Sequence, residues 1–237
     1  MKIKYIKVDN FKSLVDFKLP LAKFSCLVGL NSAGKSTVLQ FFDFLSQQVS
    51  GDLSGWLKQR QWDSSDLNSK LTRKQNISFE VGLSYNGVHG VEVELIWSAS
   101  FNRKTLRCTS EQIVYRILNI DIIKAGLQLN FDTRDKLLLK VEDGSYSVWA
   151  LNEKIREVIV RHSSPYLVST QTNEIVLSGV LSGEIPFEYQ GSVMSQIKES
   201  QLPKELLELK KFFVNLHALD LLAVREQIGR ASCRERV

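Results

Sequence analysis

The chain has 237 residues, 43% of them hydrophobic and 24% charged, so it is long enough to bury a substantial core in one large domain or two small ones. No apolar run approaches about 18 residues and no signal-peptide pattern follows Met1, which argues against a membrane-spanning or secreted protein and predicts a cytoplasmic one without membrane partners. The net charge of +5 is compatible with nucleic-acid binding but is not evidence for it.

Two short strands are predicted at the N-terminus. The first covers Lys2 to Val8, and the second runs from about Val15 to Leu19, where Pro20 ends it. The turn between them reads Asn-Phe-Lys-Ser-Leu over residues 10–14. Five lysines on and after these strands are expected to form the solvated face of an edge strand, with a DNA-facing surface as the alternative: Lys2, Lys4, Lys7, Lys18 and Lys23.

The stretch from Gly29 to Thr37 matches the phosphate-binding loop pattern G-x-x-x-x-G-K-[ST] at every fixed position. Its two glycines let the backbone approach a phosphate, so that successive N–H groups form a concave nest for the oxygens. Lys35 then places a cation on the β and γ phosphates as the catalytic residue, and the Ser36 hydroxyl is suited to Mg²⁺. The predicted nucleotide-binding residues of this motif are Gly29, Asn31, Ser32, Ala33, Gly34, Lys35, Ser36 and Thr37, with Ser36 as the metal ligand.

The residues on either side of the motif are those that such a loop requires. The run from Phe24 to Val28 reads as a buried strand entering the loop, and Cys26 within it reads as a small buried hydrophobe. A helix is predicted to begin at Thr37, with its N-terminal dipole facing the bound anion. Apolar residues follow at helical spacing: Val38, Phe41, Phe42, Leu45 and Val49.

The composition becomes polar from Ser50 to Gln75, which predicts an irregular or partly helical connection. Trp56 and Trp62 are its large apolar residues. Packing against the body of the domain is the expected use of both rings, with stacking on a base as the alternative.

Strands resume after this connection. Three antiparallel strands are predicted at Ile77–Tyr85, Val91–Phe101 and Thr105–Tyr115, because short turn sequences, one of them Asn-Gly, separate them. A further hairpin is predicted at Lys136–Leu151, turning at Asp143 and Gly144. An antiparallel sheet after the loop helix differs from the βα crossovers of a small GTPase or a nucleotide kinase.

The last third of the chain is less regular. Asn152 to Arg161 reads as a short helix or a strand, and a strand follows from Pro165 to Gln171. A helix is predicted from Pro203 to Leu222, with Leu206, Leu209, Phe213, Leu216 and Leu219 at helical spacing. His217 lies on or beside that apolar stripe and is expected to be a core histidine.

The ten residues from Ile228 to Val237 resemble the translation of a short-read sequencing adapter. They account for +2 of the net charge of +5 through three arginines and one glutamate, and for one of the three cysteines. The native chain is then expected to break off near Gln227, and the reading frame to be a fragment. The alternative is a basic C-terminal tail. The two other cysteines, Cys26 and Cys108, form no disulfide framework or zinc spacing.

Residues 1 to about 50 resemble the head domains of the RecF and SMC group of ATP-binding-cassette ATPases, and the related AAA ATPases of the overcoming-lysogenization-defect type. The similarity lies in the opening strand, the Asn-Phe-Lys-Ser turn, the second strand and the G-x-N-x-A-G-K-S-T loop. It implies an α/β P-loop NTPase fold, with a mixed sheet around the loop helix and an added antiparallel β subdomain. The implied division is 1–50 for the core, 51–75 for the connection, 76–151 for the β subdomain and 152–227 for a mixed region ending in the helix 203–222.

The resemblance also implies a function. Lys12 and Ser13 would lie near the nucleotide, with Lys12 where the family often has an arginine facing the phosphates; the alternative for Lys12 is a solvated lysine of the turn. Gln171 or its rival Gln112 would be the glutamine that reaches the metal. In the full-length protein, ATP would be sandwiched between two heads of a homodimer. Hydrolysis would separate the heads, coupled to DNA or to an effector protein in genome maintenance or anti-phage defence.

Hydrolysis in this class needs an aspartate at the end of an apolar strand, a glutamate beside it and a signature loop. Asp121 and Asp220 are the nearest approaches to the aspartate, and no glutamate follows either one. The segments 177–180 and 181–184 each resemble half of an L-S-G-G-[QE] signature but lack its second glycine, so they are read as chance matches. Either the protein is a binding switch or the coding sequence stops before these motifs, and the fragment alone is expected to be inactive.

Two other function classes stay open. A P-loop GTPase should show N-K-x-D for guanine, and a kinase should show an arginine-rich lid; the sequence contains neither. The third class is a nonhydrolysing module that binds DNA in a nucleotide-dependent manner.

Overall fold

The computed structural model describes residues 1–31, 33–86, 92–117, 135–142, 144–160, 168–185 and 188–216. These residues form one eight-stranded sheet with helices packed on one of its faces. The strands are β1 Lys2–Asp9, β2 Phe17–Pro20, β3 Asn76–Asn86, β4 Glu92–Asn102, β5 Arg107–Ile117, β6 Lys136–Glu142, β7 Ser145–Val160 and β8 Val168–Glu184. The helices are α1 Lys35–Ser50, α2 Leu53–Gln59 and α3 Lys204–Val214, and three single 3₁₀ turns occupy Ser64–Asp66, Val193–Ser195 and Glu199–Gln201.

The strand order in the sheet is β2-β1-β3-β4-β5-β6-β7-β8, and every pair of neighbouring strands is antiparallel. The expected mixed sheet is therefore not found within the described residues. Parallel pairing requires crossover connections, whereas most of these strands follow one another directly along the chain. The strands of 76–151 also continue the sheet of β1 and β2 instead of standing apart from it.

The predicted hairpins match the observed strands closely. β3 and β4 pair along their full lengths, from Asn76 opposite Asn102 to Asn86 opposite Glu92. β5 begins at Arg107, two residues later than expected, because 103–106 form the turn and Leu106 adopts a left-handed φ of 52°. Gly144 turns the β6–β7 hairpin with a φ of 77°, and β7 continues to Val160, so the segment that read as helix or strand is a strand.

The five lysines near the N-terminus are all exposed, as a solvated face requires. β1 is not an edge strand, however, because β2 and β3 flank it and β2 occupies the edge. Lys7 lies opposite Lys18 in the register of β1 and β2, and its ammonium forms an ion pair with Glu80 at 2.7 Å. The pair offsets the repulsion that two facing lysines would create.

The centre of the core is an aromatic cluster between α1 and the sheet. Phe44 of α1 is fully buried, and its ring centroid lies 5.2 Å from that of Phe11 and 5.1 Å from that of Phe101. Phe79 and Trp56 extend the cluster at 6.4 Å and 6.2 Å from the same ring. Offset and edge-to-face contacts of this kind add to the burial of apolar area. The cluster fixes α1 on the sheet, and α1 carries the phosphate-binding motif at its N-terminus.

Asn10 ties the polar connection after α2 to the N-terminal turn. It is fully buried, with a left-handed φ of 66°. Its side-chain amide donates hydrogen bonds to the carbonyls of Lys74 and Asn76, at 2.8 Å and 2.9 Å, and its side-chain oxygen accepts one from the amide of Ser69. Asparagine tolerates this backbone conformation better than most residues, because its short polar side chain can bond locally. The irregular segment 68–76 is therefore held in place without regular secondary structure.

The helix α3 begins directly after Pro203, as predicted, and the structure describes it as far as Val214. Leu206, Leu209 and Phe213 are its buried residues, and the ring of Phe213 lies 5.1 Å from that of Trp97 on β4. The helix ends there, with Asn215 as its C-cap, so the predicted continuation through Leu216 is wrong. The residues 217–222 of the predicted helix, with His217, and the adapter-like residues 228–237 lie outside the described residues.

Glu111 is a buried charge that the sequence did not indicate. Only 3% of its surface is exposed, and it lies on β5 facing the helices. Its carboxylate accepts hydrogen bonds from Trp97 Nε1 at 2.8 Å, the Ser192 hydroxyl at 2.6 Å and the backbone amide of Val193 at 3.1 Å. Burial raises the pKa of the Glu111 carboxyl, although these three donors oppose the shift. The network attaches the segment before α3 to the sheet.

We expect Glu111→Gln to lower the free energy of unfolding by about 1–3 kcal/mol. The new side-chain NH₂ group would face an N–H donor in a buried site, and a buried donor without an acceptor is costly. Folding raises the pKa of the Glu111 carboxyl, so the folded state favours the protonated form more than the unfolded state does. The contribution of Glu111 to stability therefore falls as the pH rises above the ordinary pKa of a glutamate. The deficit of the variant should therefore be larger at pH 5 than at pH 8. Urea unfolding at both pH values tests this, and an equal or growing deficit at pH 8 would show that Glu111 does not act in this way.

Candidate nucleotide-binding site

The N-terminus of α1 is built around Gly34. The helix begins at Lys35, two residues before the predicted Thr37, and Gly34 precedes it with a φ of 87° and a ψ of 6°. A side chain at this position would be strained, and its Cβ would lie 3.0 Å from Ser13 Oγ. Glycine has no side chain that could accept hydrogen bonds from the first turn of the helix. The backbone N–H groups of that turn and the positive end of the helix dipole are therefore both open to a bound anion. This is the arrangement that binds phosphate at helix N-termini.

The loop before α1 curls around the Lys35 ammonium. Lys35 Nζ donates to the carbonyl of Gly29 at 2.8 Å and to that of Leu30 at 2.6 Å, and the amide of Ala33 donates to the Leu30 carbonyl at 3.2 Å. The motif residues Gly29, Asn31, Ala33 and Ser36 are exposed, and Gly34, Lys35 and Thr37 are half-buried. Ser32 lies outside the described residues. The structure thus brings the predicted cation to the predicted loop.

The prediction of a buried strand at Phe24–Val28 is wrong. The residues 21–30 form no helix or strand, and the side chains of Phe24 and Val28 are 84% and 89% exposed. Cys26 is exposed as well, so it is not the small core residue that the sequence predicted. A short apolar run becomes a strand only where a neighbouring strand supplies backbone partners. No strand of the described residues pairs with this segment.

The N-terminal turn is held against the motif. Phe11 and Leu14 exchange backbone hydrogen bonds across it, and the buried Phe11 ring lies 5.4 Å from that of Phe41 on α1. These contacts place Ser13 beside the first turn of α1, where its hydroxyl hydrogen-bonds that of Thr37 at 3.1 Å. The structure therefore brings the turn and the loop together, as the resemblance implied.

Lys12, which the resemblance placed near the phosphates, lies over an aromatic ring. Its ammonium is 3.1 Å from the centroid of the Trp62 ring, which meets the ring of Trp56 edge to face at 5.5 Å. Trp56 is buried, and Trp62 is half-buried and packed against the core, so both rings pack against the body of the domain as expected. Sequence reasoning missed the contact between Lys12 and Trp62, because 50 residues separate them.

The candidates for the hydrolytic machinery that the structure describes lie on β5 and β8. Alternation along β5 places Gln112 on the opposite face of the sheet from Glu111 and the helices, and Gln171 lies within β8 opposite Glu157. Both partial signature segments also lie within β8, where a strand replaces the helix that a signature requires. Asp121 and Asp220 lie outside the described residues. Among the residues that are described, no group of three or more acidic, histidine or cysteine side chains could hold a metal ion.

No helix within the described parts of the chain is both long and apolar enough to cross a membrane.

Comparison with known proteins places the chain in a family. No curated protein matches the sequence. A solved structure from work on the structural biochemistry of ATP-driven dimerization and DNA-stimulated activation of SMC ATPases matches at 21% identity and a TM-score of 0.31, over 48% of this chain and 68% of that one. The sequence model of the AAA ATPase domain matches residues 1–213, nine-tenths of the chain. This range includes the phosphate-binding loop, the N-terminal turn and α1. The chain therefore belongs to the AAA ATPase domain family.

Proposed function

We propose that this chain binds ATP with Mg²⁺ at residues 29–37, and that the protein from which it comes hydrolyses ATP. The observation that carries the proposal is the N-terminus of α1, where Gly34 adopts a left-handed conformation and Lys35 lies within the curled loop. Membership of an ATPase family supports the choice of a nucleoside triphosphate over a simpler anion.

Each motif residue has a role in this proposal. The backbone amides of residues 34–37 would donate to the phosphate oxygens, and Lys35 would exchange the carbonyls of Gly29 and Leu30 for the β and γ phosphates. Anionic phosphate is the stronger acceptor, so the exchange is favourable. Lys12 and Asn31 would make further contacts to the nucleotide.

Ser36 is the residue that would hold Mg²⁺. Its side chain is exposed on the first turn of α1, beside the expected phosphates. A single hydroxyl suits Mg²⁺, which keeps several waters and takes further ligands from substrate phosphates. When bound, the ion neutralises charge on the phosphate oxygens.

Turnover is proposed only for the full-length protein. A water-activating carboxylate is not identified at the loop among the described residues, and general-base activation is needed for hydrolysis. We propose that two heads close on ATP as a homodimer, and that closure acts on DNA or an effector protein in the cytoplasm. The supporting observation is the resemblance of residues 1–50 to the RecF and SMC group.

Thermal unfolding of the chain with ATP or GTP tests the nucleotide class. A ligand that binds only the folded state raises the temperature midpoint of unfolding. At a free concentration of about 100 times its dissociation constant, it adds about 2.7 kcal/mol to the free energy of unfolding. We expect Mg²⁺ with ATP to raise the midpoint of the wild type more than Mg²⁺ with GTP, and both to raise that of Lys35→Ala far less than ATP raises that of the wild type. Stronger protection by GTP would favour the P-loop GTPase instead. Equal protection of wild type and variant would show that nucleotide binds elsewhere.

A further inference from the structure

Two tryptophans and two cations form a cluster where the N-terminal turn meets α2 and the residues after it. The Lys12 ammonium lies 3.1 Å from the centroid of the Trp62 ring. The guanidinium carbon of Arg60 lies 5.0 Å from the same ring centroid and 5.4 Å from that of Trp56. We call Lys12, Trp56, Arg60 and Trp62 the tryptophan–cation cluster. Each of these distances is within the range at which a cation is attracted to the face of an aromatic ring.

The cluster is attached to the helix that carries the loop. Asp43 of α1 accepts hydrogen bonds from Trp56 Nε1 at 2.7 Å and from Arg60 Nη2 at 2.5 Å. Trp56 is buried against Phe44, the centre of the aromatic core. Asp43 lies eight residues after Lys35, about 12 Å along the same helix. The Trp62 ring meets that of Trp56 edge to face at 5.5 Å, so it is held to α1 through Trp56.

The backbone of Lys12 is fixed as well. Its amide donates to the carbonyl of Leu67 at 2.9 Å, and its φ of 48° is left-handed. Phe11 before it is fully buried, and Ser13 after it hydrogen-bonds Thr37 in the first turn of α1. The backbone of Lys12 is therefore next to Ser13, which contacts the motif, and its ammonium lies on the Trp62 ring, which packs against Trp56.

We propose that Trp62 is a positioning residue for the nucleotide site, because its ring orders the Lys12 side chain before the triphosphate arrives. This inference rests on the proposed ATP binding. A long lysine side chain loses rotamer freedom when it contacts a ligand, and a side chain that is already ordered avoids that loss. An ammonium carries three N–H donors and the ring attracts its charge as a whole, so the ring contact is compatible with a hydrogen bond to a phosphate.

A double-mutant cycle on the full chain tests the proposal, with affinity for Mg²⁺ and ATP measured by isothermal titration calorimetry. We expect Trp62→Leu to weaken binding about 3- to 10-fold, the equivalent of ordering one long side chain. Trp62→Phe should recover most of the loss, because it retains a weaker cation-binding face. In the Lys12→Met background, Trp62→Leu should cause no further loss, since the cation that the ring holds is then absent.

Three results would overturn the inference. Binding by Trp62→Leu within about twofold of wild type would show that the ring does not matter, and an equal loss in both Lys12 backgrounds would reduce Trp62 to a structural role. Tighter binding by Trp62→Leu would show that the ring withholds Lys12 from the phosphates. If Trp62→Leu does not fold, Trp62→Met, which keeps an apolar side chain but has no aromatic face, replaces it in the cycle, and its loss must likewise vanish with Lys12→Met.

Lys35→Ala separates failure of this inference from failure of the proposed function. If Lys35→Ala loses binding while Trp62→Leu does not, only the role of Trp62 is wrong. If Lys35→Ala binds ATP as the wild type does, the loop is not the nucleotide site and both proposals fail.

Discussion

Replacing Lys35 with alanine is expected to weaken ATP binding by roughly 100-fold, because the ammonium would make charge-assisted hydrogen bonds to two phosphates, together worth about 3 kcal/mol. In the structure the same ammonium already bonds the carbonyls of Gly29 and Leu30, so part of its bonding is exchanged and not newly formed. Titration calorimetry with Mg²⁺ and ATP measures the change.

Lys23→Ala is the matched control for that experiment. Lys23 is an exposed lysine on the segment before the loop, and its replacement removes the same charge without touching the motif. A loss in Lys23→Ala comparable to that in Lys35→Ala would mean that overall charge, and not the loop, attracts the nucleotide. Binding by Lys35→Ala within about threefold of wild type would remove the role assigned to Lys35.

Phe44→Ala should have the largest effect on stability, lowering the free energy of unfolding by about 3–5 kcal/mol. Phe44 is fully buried and contacts aromatic rings from the N-terminal turn, α2, β3 and β4, so truncation leaves a cavity where four elements meet. Because these contacts also fix α1, we expect ATP binding to weaken in the same variant. Urea unfolding followed by circular dichroism gives the stability directly.

Two further variants bracket the expected loss. Phe44→Leu preserves most of the volume and should cost less than Phe44→Ala. Phe24→Ala removes a ring that is 84% exposed and should change the stability by no more than about 0.5 kcal/mol. A similar loss from Phe24→Ala and Phe44→Ala would contradict the placement of the core between α1 and the sheet.

The sequence predicted the parts of the fold that depend on local patterns. β3, β4 and β5 alternate or run apolar between clear turn sequences, and α1 repeats its apolar residues at helical spacing, so neighbours along the chain were sufficient to define them. The loop was predicted from its glycines and Lys35, because the geometry of a phosphate nest requires those residue types at that spacing.

The features that were missed depend on contacts between distant residues. The segment Phe24–Val28 has the composition of a strand, but a strand forms only with a partner, and local composition does not show whether a partner is present. Glu111 is buried because Trp97 and Ser192 supply donors from other elements. The pairing of Lys12 with Trp62 has no local signal either, since two loops from separate parts of the chain must meet to form it.

The central claim is that the amides at the N-terminus of α1 bind the phosphates of ATP. Nuclear magnetic resonance of the ¹⁵N-labelled chain, titrated with Mg²⁺ and ATP, tests this claim most directly. The account predicts that the amide resonances of Gly34, Lys35 and Ser36 shift most, while that of Gly51, at the opposite end of the same helix, stays in place. Saturable shifts concentrated elsewhere, with those three amides unmoved, would contradict it.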